Sequence, residues 1–223
     1  MINFASELQI RTMTKEDKRT HILDTAEKVF AAFGYEGAST RFLASEAGVN
    51  MAMLNYYFGS KESLMQAVLQ RRIAGMRNQL EEVKEVKASA WDKLSRSVEI
   101  YLNRVSANNS FHRIIYRELS LNQRSIMSDF LSENIFRNVQ TIMDIIRGGI
   151  HDGSFRKVDV EMTVASILGT IYYLLNSEQI ASRLLDTDFK DQTVIDTEVK
   201  PRIKKFLHDY LQAYLMHHDS ENQ

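Results

Sequence analysis

The chain has 223 residues, 44% hydrophobic residues, no cysteine and a formal net charge of -1. A chain of this size can bury one large core or two small ones, and the lack of cysteine excludes disulfides and thiolate metal sites. The balanced charge does not by itself indicate a nucleic-acid partner. The amino terminus, MINFASELQIRT, lacks the charged start and apolar core of a signal peptide. We therefore expect a cytoplasmic protein.

A single proline, nine glycines and apolar residues spaced three and four apart predict an all-α fold. The longest uncharged run, residues 162–177, is shorter than the roughly 20 residues that span a bilayer, and it predicts a buried helix without a membrane partner. The first helix is predicted to open with a capping box from Thr14 to Asp17 and to end at Gly34. Its predicted core residues are Ile22, Ala26, Val29, Phe30 and Phe33.

The segment TRFLASEAGVNMAMLNYYFGSKES, residues 40–63, has the layout of a helix-turn-helix. Ala44 provides the small residue that two crossing helices need, and Gly48 tolerates the positive φ of the turn. Val49 and Leu54 are placed to bury the second helix against the first. The residues left facing outward are candidate readers of DNA bases: Asn50, Met51, Ala52 and Asn55.

Polar groups at the end of the second helix are candidate contacts for DNA phosphates. Tyr56 and Tyr57 offer hydroxyls, and Lys61 offers a positive charge beside Ser60, which can cap the next helix. Taken alone, the tyrosines would fit ordinary core packing and the lysine a solvated surface charge. Their position after the motif favours phosphate contact.

A long connecting helix is predicted from Ser60, and further helices follow it over residues 91–105, 111–119 and 122–150, with a break at residues 108–110. The apolar residues predicted on roughly one side of the connecting helix are Leu64, Val68, Ile73, Met76, Leu80 and Val83.

Asp159 is predicted to cap the most apolar helix of the chain, and residues 186–197 are predicted to form a loop. The final helix is predicted over about residues 199–217, with Pro201 in its first turn, where a missing N–H costs little. Its predicted buried residues are Ile203, Phe206, Leu207, Tyr210, Leu211 and Tyr214.

Seven residues on the apolar faces of these later helices carry polar or polarisable tips, which suits a pocket for a small, mostly hydrophobic molecule. The alternative is that they are packed core residues, with each polar tip satisfied by a neighbour. They are Tyr101, His112, Tyr116, Met143, Tyr172, Tyr173 and Asn176.

Three stretches of the sequence resemble the DNA-binding domain of the tetracycline-repressor (TetR) family of bacterial transcription regulators. They are AEKVFAAFGYEGAST, the turn LASEAGVN, and LNYYFGSKESL at the end of the second helix. The resemblance implies a helix-turn-helix head, residues 14–62, and a helical ligand-binding and dimerisation body, residues 63–218. It also implies a repressor that binds a palindromic operator as a homodimer formed by the last two long helices. A small-molecule inducer would lower its affinity for the operator.

The resemblance also assigns roles within the head. Asn55 stands where many members have tyrosine, which exchanges a phosphate contact for an amide able to read adenine. Phe42 stands where an acidic residue is common. Arg41 matches a base-facing position but also fits a phosphate contact or a salt bridge. The matched phosphate positions are Thr40, Tyr56, Tyr57 and Lys61, and the matched base positions are Arg41, Asn50, Met51, Ala52 and Asn55.

Two other functions compete with this interpretation. A helical-bundle enzyme such as a ferritin-like di-iron protein needs Glu-x-x-His pairs, and neither these nor zinc-protease or nucleotide-binding motifs occur. The sequence therefore predicts no catalytic residues, no metal and no cofactor. The second alternative is a degenerate member whose body binds a ligand or protein while the head, near neutral and apolar at residues 51–53, binds no operator.

Overall fold

A computed structural model describes residues 13–107, positions 112 and 115, and residues 125–217. Every regular element in these ranges is helical, and this confirms the predicted all-α class. The chain divides into two compact units, one made of residues 1–73 and 110–132 and the other of residues 74–109 and 133–223. The functional domains expected from the sequence, divided after residue 62, stay a prediction.

Helix α1 (Lys15–Gly37) begins with the predicted capping box. The hydroxyl of Thr14 accepts a hydrogen bond from the Asp17 backbone N–H at 3.2 Å and donates one to the Asp17 carboxylate at 2.7 Å. Four of the five predicted core residues are buried, but the prediction for Phe33 is wrong. The helix breaks at the glycine that follows, so Phe33 stays exposed and packs edge-on against Phe42, with ring centroids 5.0 Å apart.

Helices α2 (Thr40–Glu46) and α3 (Met51–Phe58) form the predicted helix-turn-helix. Ala44 is buried, and Gly48 adopts a φ of 63°, in the left-handed region where a side chain would be strained. Leu54 is completely buried and holds α3 against the rest of the unit.

Helix α4 (Lys61–Glu85) starts after Ser60, whose hydroxyl accepts a hydrogen bond from the Ser63 backbone N–H at 3.0 Å. The predicted cap is therefore confirmed. All six apolar residues predicted on one side of this helix are buried, as expected for the apolar face of an amphipathic helix.

Ion pairs join α4 to α1 within the first unit. Glu27 accepts hydrogen bonds from Arg71, at 2.8 Å, and from Arg72, while Arg71 also binds Asp24 at 2.7 Å. The Glu27 and Arg72 side chains are mostly shielded from solvent, so this pair is screened less than an open surface pair. The cluster fixes the first half of α4 against α1.

The second unit has a core to which α5 (Ala90–Ala107), α6 (Ser125–His151) and α7 (Val160–Asn176) contribute. The helix predicted over residues 91–105 is confirmed by α5, in which Trp91 is half-buried and Leu94, Val98 and Leu102 are buried. Asp159 caps α7 by accepting a hydrogen bond from the Met162 backbone N–H at 3.0 Å.

Gly149 allows a close approach near the end of α6. A Cβ atom at this position would lie 2.3 Å from Cδ2 of Phe155 and 2.8 Å from Cβ of Ala90. At the neighbouring Gly148, a Cβ atom would meet nothing within 4 Å. Of these two residues, only Gly149 must be a glycine for this packing.

The C-terminal region contains α8 (Glu178–Leu185), α9 (Gln192–Val194), a π-helical turn (Ile195–Val199) and α10 (Lys200–Leu215). The loop predicted over residues 186–197 is wrong from residue 192 onward. The side chain of Asp191 accepts a hydrogen bond from the Thr193 backbone N–H at 2.8 Å, which starts a helical segment that continues into α10.

Two residues of α10 also contradict the predicted core. Phe206 is 55% exposed and Tyr210 is 37% exposed, whereas Ile203, Leu207 and Leu211 are buried. The helical period correctly predicts one buried face of α10. The apolar surface of α10 is wider than that face, and its additional part is exposed to solvent.

The predictions for residues 108–110, most of 111–119, and 122–124 lie outside the described residues, as does Tyr116. In the described ranges, no helix has the combination of length and hydropathy needed to cross a bilayer.

Candidate nucleic-acid interface and ligand-binding body

Side-chain caps fix the ends of the two short helices of the motif. The Ser39 hydroxyl accepts a hydrogen bond from the Phe42 backbone N–H at 3.1 Å at the start of α2. Asn50 does the same for α3, because its Oδ1 accepts a hydrogen bond from the Met53 N–H at 2.7 Å. Helices of seven and eight residues are too short to be stable alone, so caps and burial hold this surface in shape.

The outer face of α3 carries the predicted base readers. Asn50, Met51, Ala52 and Asn55 are all exposed, as their spacing predicts, and Met51 is 43% exposed. Leu54 on the opposite face is buried. The face therefore presents an apolar patch flanked by two amides, a combination suited to thymine methyl groups and to the hydrogen-bonding edges of bases.

Asn50 has a structural task that the sequence interpretation missed. Its side-chain oxygen is committed to the α3 cap, so its NH2 group is the part of the amide left to face a ligand. The sequence did carry this signal, because asparagine is among the preferred N-cap residues. The cap role and a base-reading role can be separated by substitution.

Tyr56 and Tyr57 differ in environment. Tyr56 is 68% exposed, whereas Tyr57 is half-buried, and their rings meet edge-on with centroids 5.2 Å apart. Thr40 is half-buried at the start of α2, and Arg41 beside it is exposed. The structure thus leaves Tyr56 and Arg41 the most accessible of these four residues.

Lys61 is held by the protein itself. Its Nζ donates a hydrogen bond to the Tyr35 carbonyl oxygen at 2.9 Å and lies 4.1 Å from the centre of the Tyr35 ring. The predicted phosphate-binding cation is therefore engaged with the end of α1.

Cations of α1 approach α3, the recognition helix, from outside the helix-turn-helix motif. Lys15 Nζ lies 5.2 Å from the centre of the Tyr56 ring, and the guanidinium carbon of Arg19 lies 5.3 Å from that of Phe58. The pKa of Lys15 is raised above its ordinary value, mainly by a hydrogen bond to Tyr56 and next by the electrostatic interaction with the same residue. Local sequence pattern could not reveal these contacts, because α1 and α3 are distant along the chain.

The seven candidate pocket residues of the body fall into different environments. Tyr101 and Met143 are buried in the same core cluster. Asn176 donates a hydrogen bond from Nδ2 to the Tyr172 carbonyl oxygen at 2.9 Å, whereas Tyr173 is exposed. His112 is half-buried and belongs to the first compact unit, while Tyr116 lies outside the described residues.

Asn176 also carries a buried hydrogen-bond acceptor. The Asn176 Oδ1 is inaccessible to solvent and receives no hydrogen bond from the described residues. A small cleft of about 150 Å³ lies elsewhere, between Lys84, Lys93 and Asp144, and its lining includes none of the seven candidates. Within the described residues, no group of three histidine, aspartate or glutamate side chains is arranged to hold a metal ion.

The sequence matches two family models. Residues 22–68 match the model for bacterial regulatory proteins of the tetR family, and residues 91–200 match a tetracyclin repressor-like C-terminal domain. Together they cover more than half of the chain.

Individual relatives agree with the family models. The HTH-type transcriptional repressor NicS of Pseudomonas putida is 28% identical over 197 residues, which cover 82% of this chain and 87% of that protein. A transcriptional regulator from Saccharomonospora viridis, solved with choline, is 24% identical with a TM-score of 0.72, covering 92% of this chain and 100% of that chain.

FadR from Bacillus subtilis, solved with stearoyl-CoA, is 21% identical with a TM-score of 0.65, covering 84% of this chain and 96% of that chain. The two solved structures show the same fold. With the capped helix-turn-helix and the matched body, this chain belongs to the tetR family of bacterial regulatory proteins, which are DNA-binding transcriptional regulators and not enzymes.

Proposed function

We propose that this protein is a cytoplasmic repressor that binds a palindromic operator as a homodimer and is released by a small, mostly hydrophobic inducer. The observation that carries the proposal is the outer face of α3, where the predicted base readers are exposed on a helix fixed by the Asn50 cap and the buried Leu54. A preformed face of this kind can enter a major groove without first having to order itself.

The proposed readout divides into base and phosphate contacts. Asn55 would form hydrogen bonds to adenine, and Met51 and Ala52 would contact thymine methyl groups. Arg41 of α2 is exposed as well and would add a charged contact to a base. The proposed phosphate contacts are Thr40, Tyr56, Tyr57 and Lys61.

A homodimer is supported by apolar surface on the last two long helices. Phe206, Tyr210 and Tyr214 of α10 stack nearly parallel, with successive ring centroids 6.1 and 6.0 Å apart, and the first two are exposed. On α7, Met162 and Tyr173 are exposed as well. A second copy of the chain would remove these side chains from water and would place two heads for the half-sites of a palindrome.

The nature of the inducer is proposed from the body. Tyr101 and Met143 lie in an apolar core, and the unpartnered Oδ1 of Asn176 provides an acceptor for one hydrogen-bond donor. Two proteins of the same fold were solved with stearoyl-CoA and with choline. These ligands support an organic effector for this chain, and the core favours one that is mostly hydrophobic.

Selection of bound DNA from a random duplex pool tests the proposal. We expect purified protein to enrich a motif with twofold symmetry and half-sites about 34 to 36 Å apart. A reporter gene placed behind that motif should be repressed by the protein, and activation would contradict the repressor role. If no sequence is enriched, even at low salt and after removal of co-purified ligand, the operator-binding role is refuted and the degenerate alternative is favoured.

A further inference from the structure

Positive charge is scarce on the proposed DNA-binding surface. Within the motif and its close, the cations are Arg41 and Lys61, and Lys61 is bound to the Tyr35 carbonyl. Phosphate contacts depend on cations that release counterions, so this surface needs another source of positive charge.

Lys15 is positioned to supply it. Its ammonium group lies beside the Tyr56 ring, and Tyr56 is the most exposed of the proposed phosphate contacts. A hydroxyl and an ammonium group in one place, both open to solvent, form the donor pair that a phosphate oxygen binds.

Helix stability does not explain a lysine at this position. Lys15 is the first residue of α1, where the helix dipole disfavours a positive charge by about 0.3 to 1 kcal/mol. One oxygen of the nearby Asp17 carboxylate, Oδ2, belongs to the capping box, where it accepts hydrogen bonds from the Thr14 hydroxyl at 2.7 Å and the Thr14 N–H at 3.3 Å. The Lys15 ammonium group lies beside the Tyr56 ring of another helix.

We propose that Lys15, held beside Tyr56, contacts a DNA phosphate and completes a clamp formed by the start of α1 and the end of the recognition helix. The inference rests on the proposed operator binding and adds a contact from outside the helix-turn-helix. Because the contact is to a phosphate, it strengthens binding to every sequence and does not select among them.

The test compares Lys15→Gln with Lys28→Gln by fluorescence anisotropy, using the selected operator and an unrelated duplex at several salt concentrations. Lys28 is an exposed lysine of the same helix, thirteen residues further along and hence about 20 Å away. Both changes remove one charge, and circular dichroism verifies that both variants fold. Lys15→Arg is a third variant that keeps the charge.

The slope of log K against log salt is negative, and each lost phosphate contact makes it less steep by about 0.9. For a dimer changed in both protomers, the slope should therefore be less steep by about 1.8. The affinity advantage of the wild-type protein over Lys15→Gln should then shrink about twelvefold between 50 and 200 mM salt. We expect Lys28→Gln to keep the wild-type slope and Lys15→Arg to restore most of it. The loss for Lys15→Gln should be similar on both duplexes.

A second measurement examines the pairing with Tyr56. Tyr56→Phe removes the hydroxyl, and its effect on affinity should be less than additive with that of Lys15→Gln, because both act on one phosphate. If Lys15→Gln binds the operator with the same salt slope as the wild-type protein, the proposed role of Lys15 is overturned, while operator binding itself stands. Failure of the wild-type protein to bind any duplex would overturn operator binding as well.

Discussion

Substitution of Asn50 distinguishes a helix cap from a base reader. Its Oδ1 accepts a hydrogen bond from the Met53 N–H at 2.7 Å, which is a strong cap for a helix of eight residues. Asn50→Ala removes this bond and should lower the free energy of unfolding by about 1 kcal/mol, within a range of about 0.5 to 2. Asn50→Ser also lacks the amide but keeps an oxygen that caps equally well. We expect Asn50→Ser to retain wild-type stability to within about 0.5 kcal/mol.

Comparing operator binding by Asn50→Ser and Asn50→Ala therefore distinguishes the cap role from the base-reading role. If Asn50 acts mainly as a cap, Asn50→Ser should bind the selected operator within about twofold of wild type, while Asn50→Ala binds more weakly. The assays are urea unfolding at fixed protein concentration and anisotropy with the operator. Asn78→Ala, at an exposed asparagine inside α4, controls for loss of an amide and should be neutral or slightly stabilising. A stable Asn50→Ser variant that binds tenfold more weakly and tolerates changes at one base pair would refute the cap interpretation.

Three further changes test packing, assembly and readout. Gly149→Ala should destabilise the protein by about 1 to 3 kcal/mol in urea, because its Cβ would meet Phe155 at 2.3 Å, whereas Gly148→Ala should be neutral or stabilising; equal effects would contradict the packing described for α6. Phe206→Lys should shift the protein to a monomer in size-exclusion chromatography with light scattering, whereas Gln212→Lys, at another exposed position of α10, should leave a dimer; a dimeric Phe206→Lys variant would exclude this face as the interface. Asn55→Ala should lose about 1 to 3 kcal/mol of discrimination at particular base pairs of the operator, and a uniform loss over all sequences would contradict its reading role.

Local pattern was enough to predict much of the fold. The buried face of α4 follows from apolar residues such as Leu64, Val68 and Leu80 at helical spacing. The caps at Thr14 and Asp159 follow from residue types that satisfy free N–H groups at a helix start. Each signal acts within one or two turns of chain, so tertiary context did not override it.

Other features depend on which parts of the chain meet. The pairing of Lys15 with Tyr56 and of Lys61 with the Tyr35 carbonyl joins separate helices, and no local period contains this information. Phe206 fits an apolar stripe, but periodicity does not say whether this chain or another molecule covers it. The helical start at residue 192 was missed because aspartate and threonine are also typical of loops.

Within the described residues, the side-chain caps of the head are uncharged, whereas the body uses both charged and uncharged caps. In the head, uncharged side chains begin α2, α3 and α4, namely Ser39, Asn50 and Ser60, whereas in the body Asp159 begins α7 and Ser89 begins α5. Aspartate caps a helix as well as serine or asparagine does. On a surface that meets phosphates, however, a carboxylate would repel the very partner the helix is built to approach. Replacing the caps of α2, α3 or α4 by aspartate would therefore weaken operator binding without making these helices more stable.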